Sequence, residues 1–190
     1  LLKGIIDQTK IELDIAKLGT IAKAVLSAPR IYIFAKGESY LAGCIFRNNL
    51  LKLDLHVTMA DDGGLQTLHV KNGKPGDLYL FLSYSGIHYD YSKYAATLSE
   101  RGIKPCLITA FSDSALAKQC DTVLLIPKSE RVIGKVANYS SMISLTYTLQ
   151  VIYSLIFNQD YQENYRVKRE ADSFIFTSFA EMSICSLEHC

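Results

Sequence analysis

The sequence lacks the features that would place it in several functional classes. Lysine and arginine together number 20 against 19 acidic residues, so the chain has no basic excess with which to hold a nucleic-acid backbone. Its first residues do not show a signal-peptide pattern, so we do not expect export, and no internal repeat or linker rich in proline or glycine divides it. Its 190 residues, 49% of them hydrophobic, favour one compact domain. We expect this domain to be cytoplasmic and, because its charges balance, to bind nucleic acid poorly on its own.

The five cysteines form no C-x-x-C pair. Cys44, Cys106 and Cys120 lie within or beside apolar stretches, which is typical of reduced core thiols in a cytosolic protein. Near the end of the chain, Cys185, His189 and Cys190 are spaced loosely, and such a group more often indicates a frayed terminus than a metal site. We therefore expect neither a metal nor a cofactor.

No charged residue occurs among the 24 residues from Val136 to Gln159, a stretch long enough to span a bilayer. Polar residues interrupt this stretch at helical intervals, which indicates a buried or subunit-contacting helix instead of a membrane span. Its apolar surface exceeds what one sheet face readily covers. We therefore predict a homo-oligomer, a dimer or a tetramer, with no membrane partner.

Short apolar runs alternate with helical patterns along most of the chain. An amphipathic helix is predicted over residues 1–28, with Pro29 marking its end. The predicted strands are Ile31–Ala35, Leu55–Met59, Leu78–Leu82, Cys106–Thr109 and Thr122–Ile126. The predicted helices between them are Tyr40–Leu53, Leu65–Val70, Tyr89–Arg101 and Ser114–Cys120. This alternation predicts an α/β three-layer sandwich around a five-stranded parallel sheet, with the flavodoxin-like order 2-1-3-4-5.

We interpret residues 1–190 as a single domain with its core at about 30–127 and a helical C-terminal part over 135–190. In the order 2-1-3-4-5 the strand order reverses between the first and third strands, and ligands bind where it reverses. The loops there are Lys36–Ser39 and Ser83–Gly86. The second loop places two hydroxyls and a glycine directly before a helix, whose N-terminus favours an anion. The same residues also occur in ordinary turns and helix caps.

Three segments carry a resemblance to a known family. Phe34–Gly43 (FAKGESYLAG) resembles the first-loop motif of sugar isomerase (SIS) domains, and Leu82–His88 (LSYSGIH) resembles their S-x-S-G-x-T motif. Leu107–Ala117, followed by Cys120–Leu124, is similar to the family's fourth-strand signature. The flanking helices are similar to those of SIS domains in RpiR-type transcriptional regulators. There a helix-turn-helix domain precedes the SIS domain, so the resemblance implies DNA contact only through an upstream domain absent from this chain.

The resemblance implies a phosphorylated sugar as the ligand. Ser39, Ser83 and Ser85 would contact its phosphate, and Tyr84 with the backbone around Gly86 would complete the phosphate cradle. We add four neighbours in the same loops to the candidate ligand-binding residues, and expect no catalytic residue among them: Lys36, Gly37, Glu38 and His88.

Two of these positions depart from the family pattern, because Glu38 replaces a frequent Ser or Thr and His88 replaces the usual Thr. A carboxylate repels a phosphate unless a cation offsets it, and Lys36 is the nearest candidate in the sequence. A phosphate beside His88 would raise the pKa of the imidazole. Starting from an ordinary value of about 6.5, affinity is expected to fall as pH rises through roughly 7 to 8.

Three alternatives remain open at this stage. An aldose-ketose isomerase needs a general base, yet Lys135–Gln159 contains no acid and Glu130 lies upstream in a predicted loop. Glu38 could replace that base. A degenerate SIS domain that serves only for dimerisation would also accommodate the two departures. A nicotinamide site ranks lower, because Asp61 and Asp62 follow the second strand but Ala35 replaces the first glycine of G-x-G-x-x-G.

Overall fold

The structure is a computed structural model that describes residues 2–131 and 138–187, with side chains described to residue 174. Two helices, α1 (Leu2–Glu12) and α2 (Ile15–Ser27), precede an alternation of strands and helices. The alternating elements are β1 (Ile31–Ala35), α3 (Glu38–Leu51), β2 (Val57–Ala60), α4 (Gly63–Lys71), β3 (Leu78–Leu82), α5 (Tyr89–Glu100), β4 (Cys106–Thr109), a 3-10 turn (Ala117–Gln119) and β5 (Thr122–Leu125). The chain continues with α6 (Tyr139–Gln159) and α7 (Tyr161–Leu187).

The five strands form one parallel sheet in the order β2-β1-β3-β4-β5. This order confirms the predicted topology. Ile31 pairs with Val57 on one side and with Leu78 on the other, so β1 lies at the centre of the reversal. All residues of β1 and β3 are buried, which explains why these strands read as continuous apolar runs.

Alternate residues of the central strands pack into two separate hydrophobic clusters. Ile31, Ile33 and Leu80 belong to a cluster that also contains apolar residues of α2, α3 and α6. Tyr32 and Phe81, which point to the opposite face, pack with residues of α4 and α5. The two clusters therefore make the sheet the middle layer of the predicted three-layer sandwich.

The structure corrects the single helix that was predicted over residues 1–28. The chain forms two helices instead, separated at Leu13 and Asp14. The Asp14 carboxylate accepts hydrogen bonds from the amides of Ala16 (2.9 Å) and Lys17 (3.1 Å), and so caps α2 as an N-cap residue. The apolar periodicity of the sequence continues across the break because α1 and α2 both pack their apolar sides against the domain, including α6.

Several other predicted bounds change, and among them the helices predicted to begin at Tyr40 and Leu65 begin at Glu38 and Gly63. The second strand begins at Val57 and not at Leu55, and the helix predicted over Ser114–Cys120 is a 3-10 turn of three residues. The polar stretch after Asp160 forms the long helix α7, although its sequence pattern was weak. Arg166 bonds Glu163 and Glu170, and Lys168 bonds Asp172, at the spacings that stabilise an exposed helix.

Helix α6 is long and apolar enough to cross a membrane, judged by length and composition alone. Its most relevant 18-residue stretch has a mean hydropathy of 1.3, and 39% of that stretch is buried in the domain. The helix was predicted to begin at Val136, but residues 136 and 137 lie outside the described part of the chain. One of its faces is buried in the domain, through Leu145, Leu149, Ile152 and Ile156. It packs against α1, α2 and α3. These contacts are those of a core helix in a globular domain.

Two buried hydroxyls join α1 to α6. The oxygens of Thr9 and Ser144 lie 2.9 Å apart, and both residues are fully buried. The Thr9 hydroxyl also bonds the carbonyl of Ile5 at 2.7 Å, one turn earlier in α1. Since buried polar groups are costly when unpaired, this contact fixes how the two helices pack.

We expect Thr9→Val to lower the free energy of unfolding by about 1–2 kcal/mol, because it leaves the Ser144 hydroxyl without this partner in a dry interface. The double variant Thr9→Val/Ser144→Ala removes both polar groups and should recover part of the loss. Urea unfolding of the wild type, both single variants and the double variant measures the coupling. Strictly additive losses would show that the two hydroxyls do not interact.

Candidate functional site

A cavity of about 210 Å³ opens at the C-terminal ends of β1 and β3. It is lined by Lys36, Glu38, Ser39, Leu82, Ser83, Tyr84, Ser85, Ile87, His88, Asn138, Ser141 and Met142. The two predicted loops therefore come together at one cavity, together with the first turn of α6. The predicted glycines, Gly37 and Gly86, shape these loops through their backbone.

Both glycines adopt conformations that other residues rarely reach. Gly37 has φ +57° and ψ −135° directly before α3, and Gly86 has φ +64° in the second loop. A Cβ added at Gly86 would lie 2.2 Å from Ser114 Oγ and 2.6 Å from Ser114 Cβ. Gly86 is thus required both by its backbone angle and by the close approach of Ser114.

Hydrogen bonds hold the Ser83–Gly86 loop in one shape. The buried Ser83 hydroxyl accepts from the Gly86 amide at 3.1 Å. On the other side of the loop, the Tyr84 carbonyl accepts from the Thr109 hydroxyl and from the Ala110 amide, each at 2.9 Å. The Ser83 hydroxyl keeps its own proton for donation to a ligand, and Ser85 is half-buried at the cavity wall.

The side chain of Tyr84 is hydrogen-bonded within the protein. Its hydroxyl donates to the Glu130 carbonyl (3.0 Å) and accepts from the Glu130 amide (2.8 Å), so it is bonded to the loop that follows β5. The ring packs edge-on against Phe111. Tyr84 also lines the cavity, so these contacts fix the position of one of its lining residues.

Helices α3 and α5 both begin at the cavity. Their N-cap residues, Gly37 and His88, make no side-chain hydrogen bond to the first-turn amides. The uncapped amides and the positive dipole ends of two helices thus lie beside the serines of the cradle. Together with Lys36, these groups can stabilise an anion that enters the cavity.

The cavity is lined by two polar residues at the start of α6 that sequence reasoning did not assign to it. Asn138 and Ser141 line the cavity, and the Glu130 carboxylate accepts from both the amide and the hydroxyl of Ser141, each at 2.8 Å. Glu130 therefore caps the helix although it lies outside it. Glu130 lies in a loop upstream of α6, as expected, and its carboxylate reaches the first turn of the helix. Asn138 and Ser141 belong to the uncharged stretch, which carries no sequence signal for a binding site.

The electrostatic surroundings of His88 lower the pKa of its imidazole from the ordinary 6.5. Burial is the main cause, and the positive charge of Lys36 adds to it, while Asp90 acts in the opposite direction. The ring packs against Tyr91, with 5.3 Å between the ring centroids. In the free cavity His88 is therefore mainly neutral at pH 7.

This environment changes the pH range over which His88 is expected to affect binding. A bound phosphate would raise the pKa of His88, so binding would take up a proton and affinity would fall with rising pH. The fall begins at the lowered pKa of the free site, below 6.5, and not near 7 as expected from an unperturbed histidine. Because the phosphate's own ionisation near pH 6 changes affinity in the opposite sense, wild type must be compared with His88→Thr.

The measurement is calorimetric titration of both proteins with one sugar phosphate between pH 5.5 and 8. We expect the affinity of the wild type to fall more steeply with pH than that of His88→Thr over this range. Identical slopes for the two proteins would show that His88 does not titrate on binding.

No group of three His, Cys, Asp or Glu side chains that could hold a metal occurs in the described part of the chain. His189, Cys190 and the side chain of Cys185 lie outside that part. Burial raises the pKa of Cys106 to about 11 and that of Cys120 to about 12, so both thiols are protonated at neutral pH.

The family model of the SIS domain matches residues 25–156, and the chain belongs to this family. The match includes the sheet, both loops of the cavity and most of α6. SIS-domain relatives include both regulators and isomerising enzymes.

Two relatives illustrate these two groups. An uncharacterized HTH-type transcriptional regulator of Caldanaerobacter subterraneus subsp. tengcongensis is 25% identical over 161 residues, which cover 85% of this chain and 57% of the regulator. The isomerizing glutamine–fructose-6-phosphate aminotransferase of Pyrobaculum aerophilum is 31% identical over 115 residues, covering 59% of this chain and 18% of the enzyme. The chain thus spans little more than half of the regulator and a small part of the enzyme.

Solved structures share the fold at low identity. The NanR protein of Vibrio vulnificus, in complex with ManNAc-6P, superposes with a TM-score of 0.84 at 19% identity, covering 93% of this chain and 66% of NanR. The sugar isomerase domain of an RpiR transcription factor from Sphaerobacter thermophilus gives a TM-score of 0.78 at 21% identity, covering 90% of this chain and 94% of that domain. These likenesses establish the SIS fold.

Proposed function

We propose that the chain is the sugar-phosphate-sensing domain of an RpiR-type transcriptional regulator. The cavity carries this proposal, because hydroxyls of the Ser83–Gly86 loop, two helix N-termini and Lys36 surround one space. Ser39 adds a third hydroxyl from α3. The bound ManNAc-6P of NanR supports a phosphorylated sugar as the class of ligand.

The other parts of this proposal concern the whole protein. A helix-turn-helix domain before α1 would contact DNA, since the balanced charge of this chain, 20 basic against 19 acidic residues, does not supply a DNA-binding surface. A regulator of this kind works in the cytoplasm. The domain itself would bind and not convert its ligand.

The direct test is calorimetric titration with a panel of phosphorylated sugars that includes ManNAc-6P, glucosamine 6-phosphate and arabinose 5-phosphate. Each is paired with its unphosphorylated sugar, and inorganic phosphate is measured alone. We expect at least one phosphorylated sugar to bind, and its unphosphorylated form to bind too weakly to measure. A panel without any binding would overturn the proposal and favour a degenerate domain that only dimerises.

We also propose that the domain is a homo-oligomer. An apolar groove of about 380 Å³ lies between α1, α3 and α6, beside the ligand cavity, and Met142 lines both. Leu41 and Ile45, both more than 40% exposed, lie at this groove. A second copy that covers these residues would remove their apolar surface from water.

Ile45→Glu should therefore dissociate the oligomer, because it places a charge in the proposed interface. Leu68→Glu is the matched control, since Leu68 is similarly exposed but lies on α4, on the other face of the sheet. Sedimentation at micromolar concentration should show a dimer or larger for wild type and Leu68→Glu, and a monomer for Ile45→Glu. A monomeric wild type would refute the proposal.

One observation favours a second candidate function, an aldose-ketose phosphosugar isomerase. The Glu130 carboxylate bonds Ser141, which lines the cavity, so an acid does lie near the ligand site. The same two hydrogen bonds, from the amide and the hydroxyl of Ser141, also give Glu130 a purely structural role as a cap of α6. Turnover of fructose or glucosamine phosphates by the purified protein, lost in Glu130→Gln or in Glu38→Gln, would establish the enzyme and exclude a purely sensing role.

A further inference from the structure

A carboxylate belongs to the wall of the cavity that the phosphate would enter. Glu38 is the first residue of α3, lines the cavity and is exposed to it. Its Oε2 accepts a hydrogen bond from the side-chain Nδ2 of Asn138, the N-cap residue of α6. This bond joins the starts of two helices across the cavity, and it holds the carboxylate in place.

The residues that line the cavity carry too little positive charge to neutralise a second anionic group on the ligand. Among the lining residues that the structure describes, Lys36 and His88 are the only bases and Glu38 is the only acid. His88 is mainly neutral at pH 7, because burial and the charge of Lys36 lower its pKa. Lys36 is thus the one full positive charge of this lining, and a dianionic phosphate would already exceed it.

The Asn138 side chain belongs to the same wall. One N–H of its Nδ2 donates to the Glu38 carboxylate. Its Oδ1 is buried and has no hydrogen-bond partner among the described residues. The carboxylate oxygens of Glu38 are therefore the acceptors at this wall, and they suit hydroxyl, amino or amide N–H groups of a ligand.

From this arrangement we infer that the cavity selects phosphosugars whose other groups are neutral or cationic, and discriminates through Glu38 against sugar-acid phosphates that carry a carboxylate. The inference rests on the proposed function, since it assigns the ligand class of the same site. A carboxylate on the ligand would share a cavity of about 210 Å³ with the Glu38 carboxylate, and the repulsion between the two should weaken binding about tenfold or more.

Glu38→Gln is the informative variant. It removes the charge, while the glutamine amide oxygen can still accept from Asn138 Nδ2, so the link between α3 and α6 is kept. Glu100→Gln is the matched control, because Glu100 is an exposed residue at the far end of α5 and removes the same charge outside the cavity. Thermal unfolding of both variants verifies that they are folded.

The experiment is calorimetric titration of the three proteins at pH 7.5 with glucose 6-phosphate, glucosamine 6-phosphate, arabinose 5-phosphate and 6-phosphogluconate. For wild type and Glu100→Gln we expect the best neutral or amino sugar phosphate to bind at least tenfold more tightly than 6-phosphogluconate. In Glu38→Gln this ratio should fall at least several-fold, chiefly through tighter binding of 6-phosphogluconate.

The outcomes separate the inference from the proposed function. Equal or tighter binding of 6-phosphogluconate to the wild type, or a ratio that Glu38→Gln leaves unchanged, overturns the inference and leaves the sensor proposal standing. Binding of none of the four compounds to the wild type, together with the failure of the larger panel above, overturns both.

Discussion

A Ser83→Ala/Ser85→Ala variant is expected to bind its sugar phosphate about 100- to 10,000-fold more weakly than the wild type. Each serine hydroxyl can donate to a charged phosphate oxygen, and a hydrogen bond of this kind contributes about 1.5–3 kcal/mol, or roughly ten- to a hundredfold in affinity. Ser83 is buried at the base of the loop and Ser85 is half-buried beside it. Both line the cavity.

The two serines contribute in different ways, so the single variants are informative. Ser83 accepts from the Gly86 amide, and its loss also removes a bond within the loop. Ser85 makes no such bond to another described residue, so Ser85→Ala reports chiefly the ligand contact. The control is Ser27→Ala/Ser154→Ala, two exposed helical serines away from the cavity. Titration calorimetry that shows wild-type affinity in the double loop variant would exclude this site.

Gly86→Ala should lower the free energy of unfolding by about 2–4 kcal/mol, because the new methyl group is strained in two ways. The backbone has φ +64°, and the Cβ would overlap Ser114 Oγ and Cβ at 2.2 and 2.6 Å. A rotation of the Ser114 side chain can move Oγ but not Cβ. The chain must therefore shift the loop, which also carries the phosphate cradle, so ligand binding should weaken as well.

Gly19→Ala is the matched control for this variant. Gly19 lies inside α2, and a Cβ there would meet nothing within 4 Å. Alanine is the better helix former, so this substitution should stabilise the domain by about 0.5–1 kcal/mol. Urea unfolding of both variants should thus give changes of opposite sign. A Gly86→Ala protein as stable as the wild type would show that the loop is not constrained as the structure indicates.

The sheet could be predicted from the sequence because its order follows from local patterns. β1 and β3 are buried on both faces, so their sequences are uninterrupted apolar runs that no amphipathic helix would produce. Once the strands alternate with helices, the reversal of strand order locates the two ligand loops. The predicted phosphate loop, Ser83–Gly86, lies at the cavity for this reason.

The other half of the cavity could not be predicted, because it is formed by contacts between distant parts of the chain. Tyr84 bonds Glu130, 46 residues away, and Glu38 bonds Asn138, 100 residues away. No local pattern identifies such partners. The break between α1 and α2 was missed for another reason, since Asp14 caps the second helix without a glycine or proline to mark the turn.

The hydroxyl contact between Thr9 and Ser144 links the wall of the cavity to the first helix of the domain. Ser144 lies one helical turn after Ser141, a residue of the cavity wall. The start of α6 therefore lines the cavity through Ser141 and contacts α1 through Ser144. Thr9 is seven residues, or about 10 Å of helix, from Leu2. In a longer chain with a DNA-binding domain before α1, occupancy of the cavity could reach that domain through two packed helices, without any rearrangement of the sheet.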